Sequence, residues 1–342
     1  MNLALLIVAA VISFVLISML IKFANKLGLI DIPNQRSAHT EIMPRGAGIG
    51  FVLAVILTPM IIDFNFFTEY YYVFLAIIII FIAGGLDDKY NISPKIKFIF
   101  IFTATLMLYM HDIEISSLGD YFGFELLIPS FLVLIFTFFA IAGFTNALNL
   151  MDGLDGLAGS VSLIMFISFL AIGLNHNDAL MINLSTLYIG ALLSFLFFNW
   201  NPAKIFMGDS GSLTLGFSIA LLSVQSLNYV EPTAVLFLLA LPIFDTFIVM
   251  RRRIQRGLSP FDADKTHLHH LLYKVKLDVR FTTVMLLCMQ TIFSIMGYQM
   301  HSANNTLTLI LFVLFFYIFL NLFDERLRYR KKDKNSDTKD KT

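Results

Sequence analysis

The chain has 342 residues, of which 58% are hydrophobic and 36 are phenylalanine, and its mean hydropathy is +0.79. A soluble domain cannot hide that much apolar surface, so a water-soluble enzyme is excluded. The 24 basic and 24 acidic side chains cancel to a net charge of zero, which says nothing of partners, and the single cysteine, Cys288, excludes a disulfide framework and disfavours a thiol nucleophile.

Apolar runs of roughly 17–25 residues, the length that crosses a bilayer core, recur along the sequence. About eleven are read, near 2–21, 47–62, 70–86, 96–111, 126–145, 157–174, 179–198, 213–229, 232–250, 281–299 and 305–323. With no water to pair the backbone, each is expected to be helical. The expected fold class is all-α, a polytopic integral membrane protein of about eleven transmembrane helices. The first run has no basic leader and is followed by Lys22, so it reads as a span and not as a cleavable signal. One transmembrane catalytic bundle is expected over 1–323, with a charged tail over 324–342 that fixes topology and meets anionic lipid heads.

All 24 Lys and Arg residues fall in alternate connections: Lys22 to Arg45, Lys89 to Lys97, Lys204, Arg251 to Arg280, and the tail. The other connections carry acidic residues instead, among them Asp63, Glu69, Asp112, Glu114, Asp120, Glu125, Asp178 and Glu231. Positive loops stay in the cytoplasm, so the N-terminus is expected outside and the C-terminus inside.

The first cytoplasmic connection holds Arg36 and His39, then Pro44-Arg45-Gly-Ala-Gly. Its arginines and histidine could meet phosphates or could serve topology and turn formation alone. The third run ends in Gly84-Gly85-Leu-Asp87-Asp88-Lys89, with Lys95 and Lys97 opening the next helix. Two adjacent carboxylates at a span end are costly unless they hold a cation or a proton, and the lysines beyond them suit a magnesium–phosphate site.

Between two further runs lies Asn146-Ala-Leu-Asn149-Leu-Met-Asp152-Gly-Leu-Asp155-Gly-Leu. Asn146, Asn149, Asp152 and Asp155 recur every third residue, so a helix would gather all four on one face toward one ligand. An ordinary Asn/Asp/Gly turn is the alternative. Next come Asn199-Trp-Asn201-Pro and Phe206-Met-Gly208-Asp209-Ser210-Gly-Ser212. Asp209 opens a span, where free backbone N–H groups could hold a phosphate while the carboxylate holds the metal that the phosphate brings. Ser210 and Ser212 could equally be N-caps.

Asp245 lies inside an apolar run and is expected to pair with the Arg251–Arg253 cluster a little under two turns on. The longest basic connection ends in His267-Leu-His269-His270. Zinc is disfavoured there, since no cysteine joins the histidines; hydrogen bonds to a diphosphate or a sugar suit them better. His111, His176 and His301 need no function.

Carboxylates, amides, lysines, arginines and histidines, all in cytoplasmic connections, suggest magnesium-dependent transfer between phosphates, with a lipid as one substrate. The motifs at 87–88, 146–157, 206–212 and 267–270 together resemble the polyprenyl-phosphate N-acetylhexosamine-1-phosphate transferases, over about residues 26–275. The His-x-His-His form is similar to the WecA and TagO branch more than to the MraY branch. The resemblance implies a bundle of about eleven spans in the bacterial inner membrane, with its active site toward the cytoplasm. It implies transfer of an N-acetylhexosamine 1-phosphate, first of all GlcNAc-1-phosphate, from a UDP-N-acetylhexosamine to undecaprenyl phosphate with release of UMP. By that resemblance Asp209 coordinates Mg2+ (with Mn2+ as a substitute), helped by Asn149. Asp87 and Asp88 position or deprotonate the lipid phosphate. Asp152 and Asp155 contact the nucleotide or order the site. Lys97, His267, His269 and His270 grip the diphosphate, and Asn146, Arg45, Asn201 and Arg251 complete the substrate contacts. No nucleic acid is expected as a partner, and a homodimer is left open. The arginine and small residues of Pro44-Arg-Gly-Ala-Gly look closer to relatives taking 6-deoxy-N-acetylhexosamines, which keeps that donor as an alternative. A polytopic lipid or sugar transporter is the competing class, but its site would lie near the bilayer midplane and not at span ends on one face.

Overall fold

Each apolar run of the sequence contains helix. The computed structural model describes residues 2–31, 42–259, 267–276 and 278–323, and at 270 and 274–276 the backbone alone. Arg36, His39 and the tail over 324–342 lie outside the described residues. In chain order the helices are α1 (Leu3–Leu27), α2 (Ala47–Ile62), α3 (Phe64–Glu69), α4 (Tyr71–Tyr90), α5 (Pro94–Tyr109), α6 (Ser130–Met151) and α7 (Leu157–His176). They continue as α8 (Ala179–Asn199), α9 (Asp209–Ser226), α10 (Pro232–Leu238), α11 (Ala240–Gln255), α12 (Leu268–Lys276), α13 (Val279–Gln299) and α14 (Asn305–Leu322). Two short antiparallel pairs interrupt them: β1 (Ile30–Asp31) with β2 (Met43–Pro44), and β3 (Ser117–Tyr121) with β4 (Phe124–Leu127).

The protein is thus a helical, multi-pass membrane protein. Among the described residues, seven helices are long and apolar enough to cross a membrane, or eight when α10 and α11 count as one span bent by 83°. α2 and α5 are 16 residues each. The bend divides the run read at 232–250 into two helices. It falls just before Pro242, which has no N–H to give the Leu238 carbonyl and whose ring crowds that carbonyl.

Buried side chains from Leu5 on α1 to Phe323 after α14 pack into one hydrophobic core. At its centre is α9, in which every residue except Asp209 and Gln225 is buried. Serine, threonine and glycine fill much of this helix and let its neighbours come close, as small residues do between membrane helices. α9 packs on α2, α4, α6 and α7. The approach of α4 is set by Gly84, where an added Cβ would lie 2.5 Å from the Asp209 carbonyl oxygen. The approach of α2 is set by Gly48, where a Cβ would lie 2.2 Å from the Gly211 backbone nitrogen. The segment before α2 is also tied to the segment before α9. The Phe206 N–H donates to the Pro44 carbonyl at 2.9 Å, and the Gly48 N–H donates to the Met207 carbonyl at 2.9 Å. These contacts bring the ends of α2, α4 and α9 to one place.

The glycine pair at 84–85 tests this packing. Gly84→Ala is expected to cost about 1–3 kcal/mol through overpacking against α9. Gly85→Ala, where a Cβ would meet nothing within 4 Å, is expected to melt close to the wild type. Thermal melts of both variants in detergent decide it; equal melting temperatures would contradict the close approach.

Candidate active site

The start of α9 is closed by a carboxylate from α4. An α-helix leaves its first N–H groups without partners, and here no local side chain caps them. Asp88 does so instead: its Oδ1 accepts the Asp209 N–H at 2.7 Å and its Oδ2 accepts the Ser210 N–H at 2.9 Å. Negative charge at a helix N-terminus is favourable. The expectation that these N–H groups hold a phosphate is therefore corrected, since the protein's own carboxylate occupies them. Arg45 completes the arrangement, with Nη2 2.8 Å from Asp88 Oδ1.

The Asp209 side chain projects from this start into a ring of polar groups. Oδ1 lies 3.3 Å from Asn149 Nδ2 and 3.5 Å from Arg45 Nη2. Oδ2 lies 3.3 Å from Lys97 Nζ. Lys97 also pairs with Asp87, which is buried, and whose Oδ1 has no hydrogen-bond partner among the described residues. Asn149 further donates to Ser212 Oγ at 2.7 Å. Asp87, Asp88, Asn149, Asp209, Arg45 and Lys97 therefore form one connected cluster from α2's leading edge, α4, α5, α6 and α9.

The shared face of Asn146, Asn149, Asp152 and Asp155 is only partly present. α6 ends at Met151 and Asp152 caps it, so Asp155 lies beyond the helix in a turn before α7. Asp155 Oδ2 accepts from Asn201 Nδ2 at 2.8 Å and from the Ala203 N–H at 3.0 Å, tying that turn to the segment before α9. Asn201 thus faces Asp155, and its carbonyl accepts from Arg280 Nε at 3.0 Å. Asn146 is exposed on α6. Asp152 faces the cluster without a hydrogen bond among the described residues. Burial first, then the charge of Asp209, pushes its carboxyl up to about 7 against an opposing pull from Arg45.

The Asp245 expectation is corrected. Its partner is not an arginine but the histidine segment: Oδ2 lies 2.9 Å from His267 Nδ1 and Oδ1 accepts the Leu268 N–H at 2.7 Å. The sequence spacing points along one helix, whereas packing brings the start of α12 to Asp245 on α11. The rings of His267 and His269 lie face to face, 5.7 Å between centroids. A Cβ on Gly153 would sit 2.3 Å from His269 Nε2, so this ring rests on the turn that carries Asp152. Of His270 only the backbone is described, Lys95 is exposed, and Arg251 is exposed on α11 away from the carboxylate cluster's ion pairs. Among the described residues no three His, Cys, Asp or Glu side chains are grouped so as to hold a metal ion.

Two participants escaped the sequence reading. Ser212 reads as a cap in the sequence, yet it stands one helical turn after Asp209, shares its face and accepts from Asn149. Gly153 in the Asn/Asp/Gly stretch permits a close approach, but that the neighbour is the His269 ring, 116 positions on, is not signalled locally.

The chain is similar to proteins of known name. The family described as "Glycosyl transferase family 4" matches residues 70–227. A Bacillus subtilis (strain 168) protein named "Probable undecaprenyl-phosphate N-acetylglucosaminyl 1-phosphate transferase" is 32% identical over 301 residues, covering 87% of this chain and 84% of that protein. The "Undecaprenyl-phosphate alpha-N-acetylglucosaminyl 1-phosphate transferase" of Escherichia coli (strain K12) is 31% identical over 315 residues, with the same two coverages. The protein of that name in Salmonella typhi is 28% identical over 347 residues, covering 93% of each chain.

Asp152 yields a test of the electrostatics. Its native carboxyl is raised to about 7 from the usual 3.8. Between those values the unfolded chain has lost a proton that the folded chain keeps, so this group makes stability fall as pH rises through the window. In a chelator-containing buffer, Asp152→Asn is expected to melt above the wild type at pH 8, and the gap is expected to narrow as pH falls toward about 4. A gap independent of pH would contradict the assignment.

Proposed function

Because this chain belongs to glycosyl transferase family 4, we propose that it transfers N-acetylglucosamine 1-phosphate to undecaprenyl phosphate, using UDP-GlcNAc as donor and releasing UMP. The observation that carries the proposal is the connected cluster of Asp87, Asp88, Asn149, Asp209, Arg45 and Lys97 at one end of the helices. An oxygen of the lipid phosphate attacks the β-phosphorus of the donor. The anhydride bond to the α-phosphate breaks, and UMP leaves with that bridging oxygen. One phosphoanhydride replaces another, so the reaction is readily reversed by UMP. The names of the relatives favour GlcNAc over a 6-deoxy sugar.

The lipid phosphate has its second pKa near about 6 and is mostly dianionic at neutral pH, so little remains for a base to remove. Asp87 and Asp88 accordingly act through position and charge: Asp87 holds Lys97, and Asp88 holds both Arg45 and the start of α9. Phosphoryl transfer gains most from such positioning and electrostatic stabilisation. His267, fixed by Asp245, and His269, resting on Gly153, bring donors toward the diphosphate or sugar from the side of Asp152.

The residues present fit a hard divalent cation. When ionised, the carboxylates of Asp87, Asp88, Asp152 and Asp209 outnumber the cations of Arg45 and Lys97, a balance that would repel a diphosphate unless a cation came with it. Asp209 and Asn149, whose amide can turn to offer its oxygen, would hold Mg2+, with Mn2+ as a substitute, and the buried Oδ1 of Asp87 is a further acceptor. Bound there, the ion would offset the diphosphate charge.

The cluster shares its end of the bundle with Lys204 and Arg280, and positive connections mark the cytoplasmic side. We therefore place the site at the cytoplasmic face of the bacterial inner membrane, with about eleven crossings if the shorter helices α2 and α5 and the hydroxyl-rich α9 also span.

Purified protein with undecaprenyl phosphate, Mg2+ and UDP-GlcNAc is expected to release UMP, and no release would end the proposal. Asp209→Ala is expected to lose about a hundredfold or more of that activity while eluting and melting as a folded protein. A chelator should abolish turnover and added Mg2+ restore it. Asp87→Asn and Asp88→Asn should stay impaired at every pH; full recovery at high pH would instead point to a protonation role.

A further inference from the structure

The bend between α10 and α11 is held by a side chain from elsewhere in the chain. Gln290, on α13, is fully buried among apolar neighbours. A buried amide is costly unless its donors and acceptor are all engaged. Here they are. Gln290 Nε2 donates to the Leu238 carbonyl at 2.7 Å and to Ser294 Oγ at 2.9 Å. Its Oε1 accepts the Leu241 N–H at 3.3 Å. The Leu238 carbonyl is the one that Pro242 cannot serve, and Leu241 lies on the far side of the break. Gln290 thus satisfies one backbone group on each side of the 83° bend. In an apolar surround such groups must find partners inside the protein. Phenylalanine rings close over the joint, with Phe244 5.4 Å from Phe293 and 5.0 Å from Phe312, and Phe237 5.3 Å from Phe312.

The joint connects directly to the site. Asp245 stands one helical turn beyond Leu241 on α11. It holds His267 and the Leu268 N–H at the start of α12, and α12 lays His269 against Gly153. Resting on the transferase activity proposed above, we infer that Gln290 is a positioning residue for it: by fixing the angle between α10 and α11, it sets where Asp245 presents the histidines to the substrate diphosphate.

Steady-state kinetics of UMP release, normalised to folded protein by size exclusion, tests the inference. Gln290→Leu is expected to lower kcat by about tenfold or more, with KM for UDP-GlcNAc within about threefold of the wild type. Gln290→Glu, as a neutral acid with one O–H donor and one carbonyl acceptor, keeps the two bonds across the break, to the Leu238 carbonyl and from the Leu241 N–H, while giving up the donation to Ser294, and is expected to recover most of kcat. Asp245→Asn acts through the same element, so the double variant with Gln290→Leu should be no worse than the poorer single variant. If Gln290→Leu does not fold, Gln290→Asn replaces it; one methylene shorter, it spans the break poorly and should also lower kcat. An unchanged kcat in the folded variant, or losses that multiply in the double variant, would overturn the inference. UMP release by the wild type is the control: its absence would sink the proposed activity, whereas an active wild type beside an equally active variant would sink this inference alone.

Discussion

The carboxylate of Asp88 on the first N–H groups of α9 is the contact on which the site depends. It joins positions 121 and 122 residues apart, and it exists only because α4 can lie against α9 at Gly84. Once Asp88 is committed to the helix start, Arg45 is drawn to it, and Asp209 is aimed into the space that Asn149 and Lys97 also face. The reactive groups are therefore products of helix packing and not of any one loop. A chain in which α4 and α9 failed to seat would lose the site as a whole.

The same requirement acts at a second place. Backbone polar groups released inside an apolar bundle must be met by protein atoms. At the start of α9 the acceptor is a charged carboxylate, because several donors point one way and the end of the bundle is partly open. At the α10–α11 break the partner is a neutral amide, because one donor and one acceptor are released together and the surround is closed. Each solution also places chemistry: the first sets Asp209, the second sets Asp245 and its histidine.

Much of this was legible in the sequence. The apolar runs gave the helices, and the clustering of Asp, Asn, Arg, Lys and His between them marked the groups that meet. The roles of individual residues were less legible. Asp87 and Asp88 are neighbours in sequence, yet one pairs with Lys97 and the other caps a remote helix, a division that follows from which side of α4 each occupies. Asp155 continued a three-residue repeat but falls past the end of α6, where a turn overrides the periodicity. Spacing along one helix pairs Asp245 with arginines, because it cannot show the start of α12 arriving from 22 residues on. The break before Pro242 was missed because hydropathy averages over it.

The lysine and arginine of the site are paired with Asp87, Asp88 and Asp209. These carboxylates outnumber the two cations, so a free phosphate or a nucleotide drifting past meets no net attraction. On the transferase activity proposed above, a donor that arrives with its own counter-ion and meets a lipid-held phosphate would rearrange several of these pairs at once. Amid abundant soluble phosphate esters, such internal pairing acts as a filter against unproductive occupants.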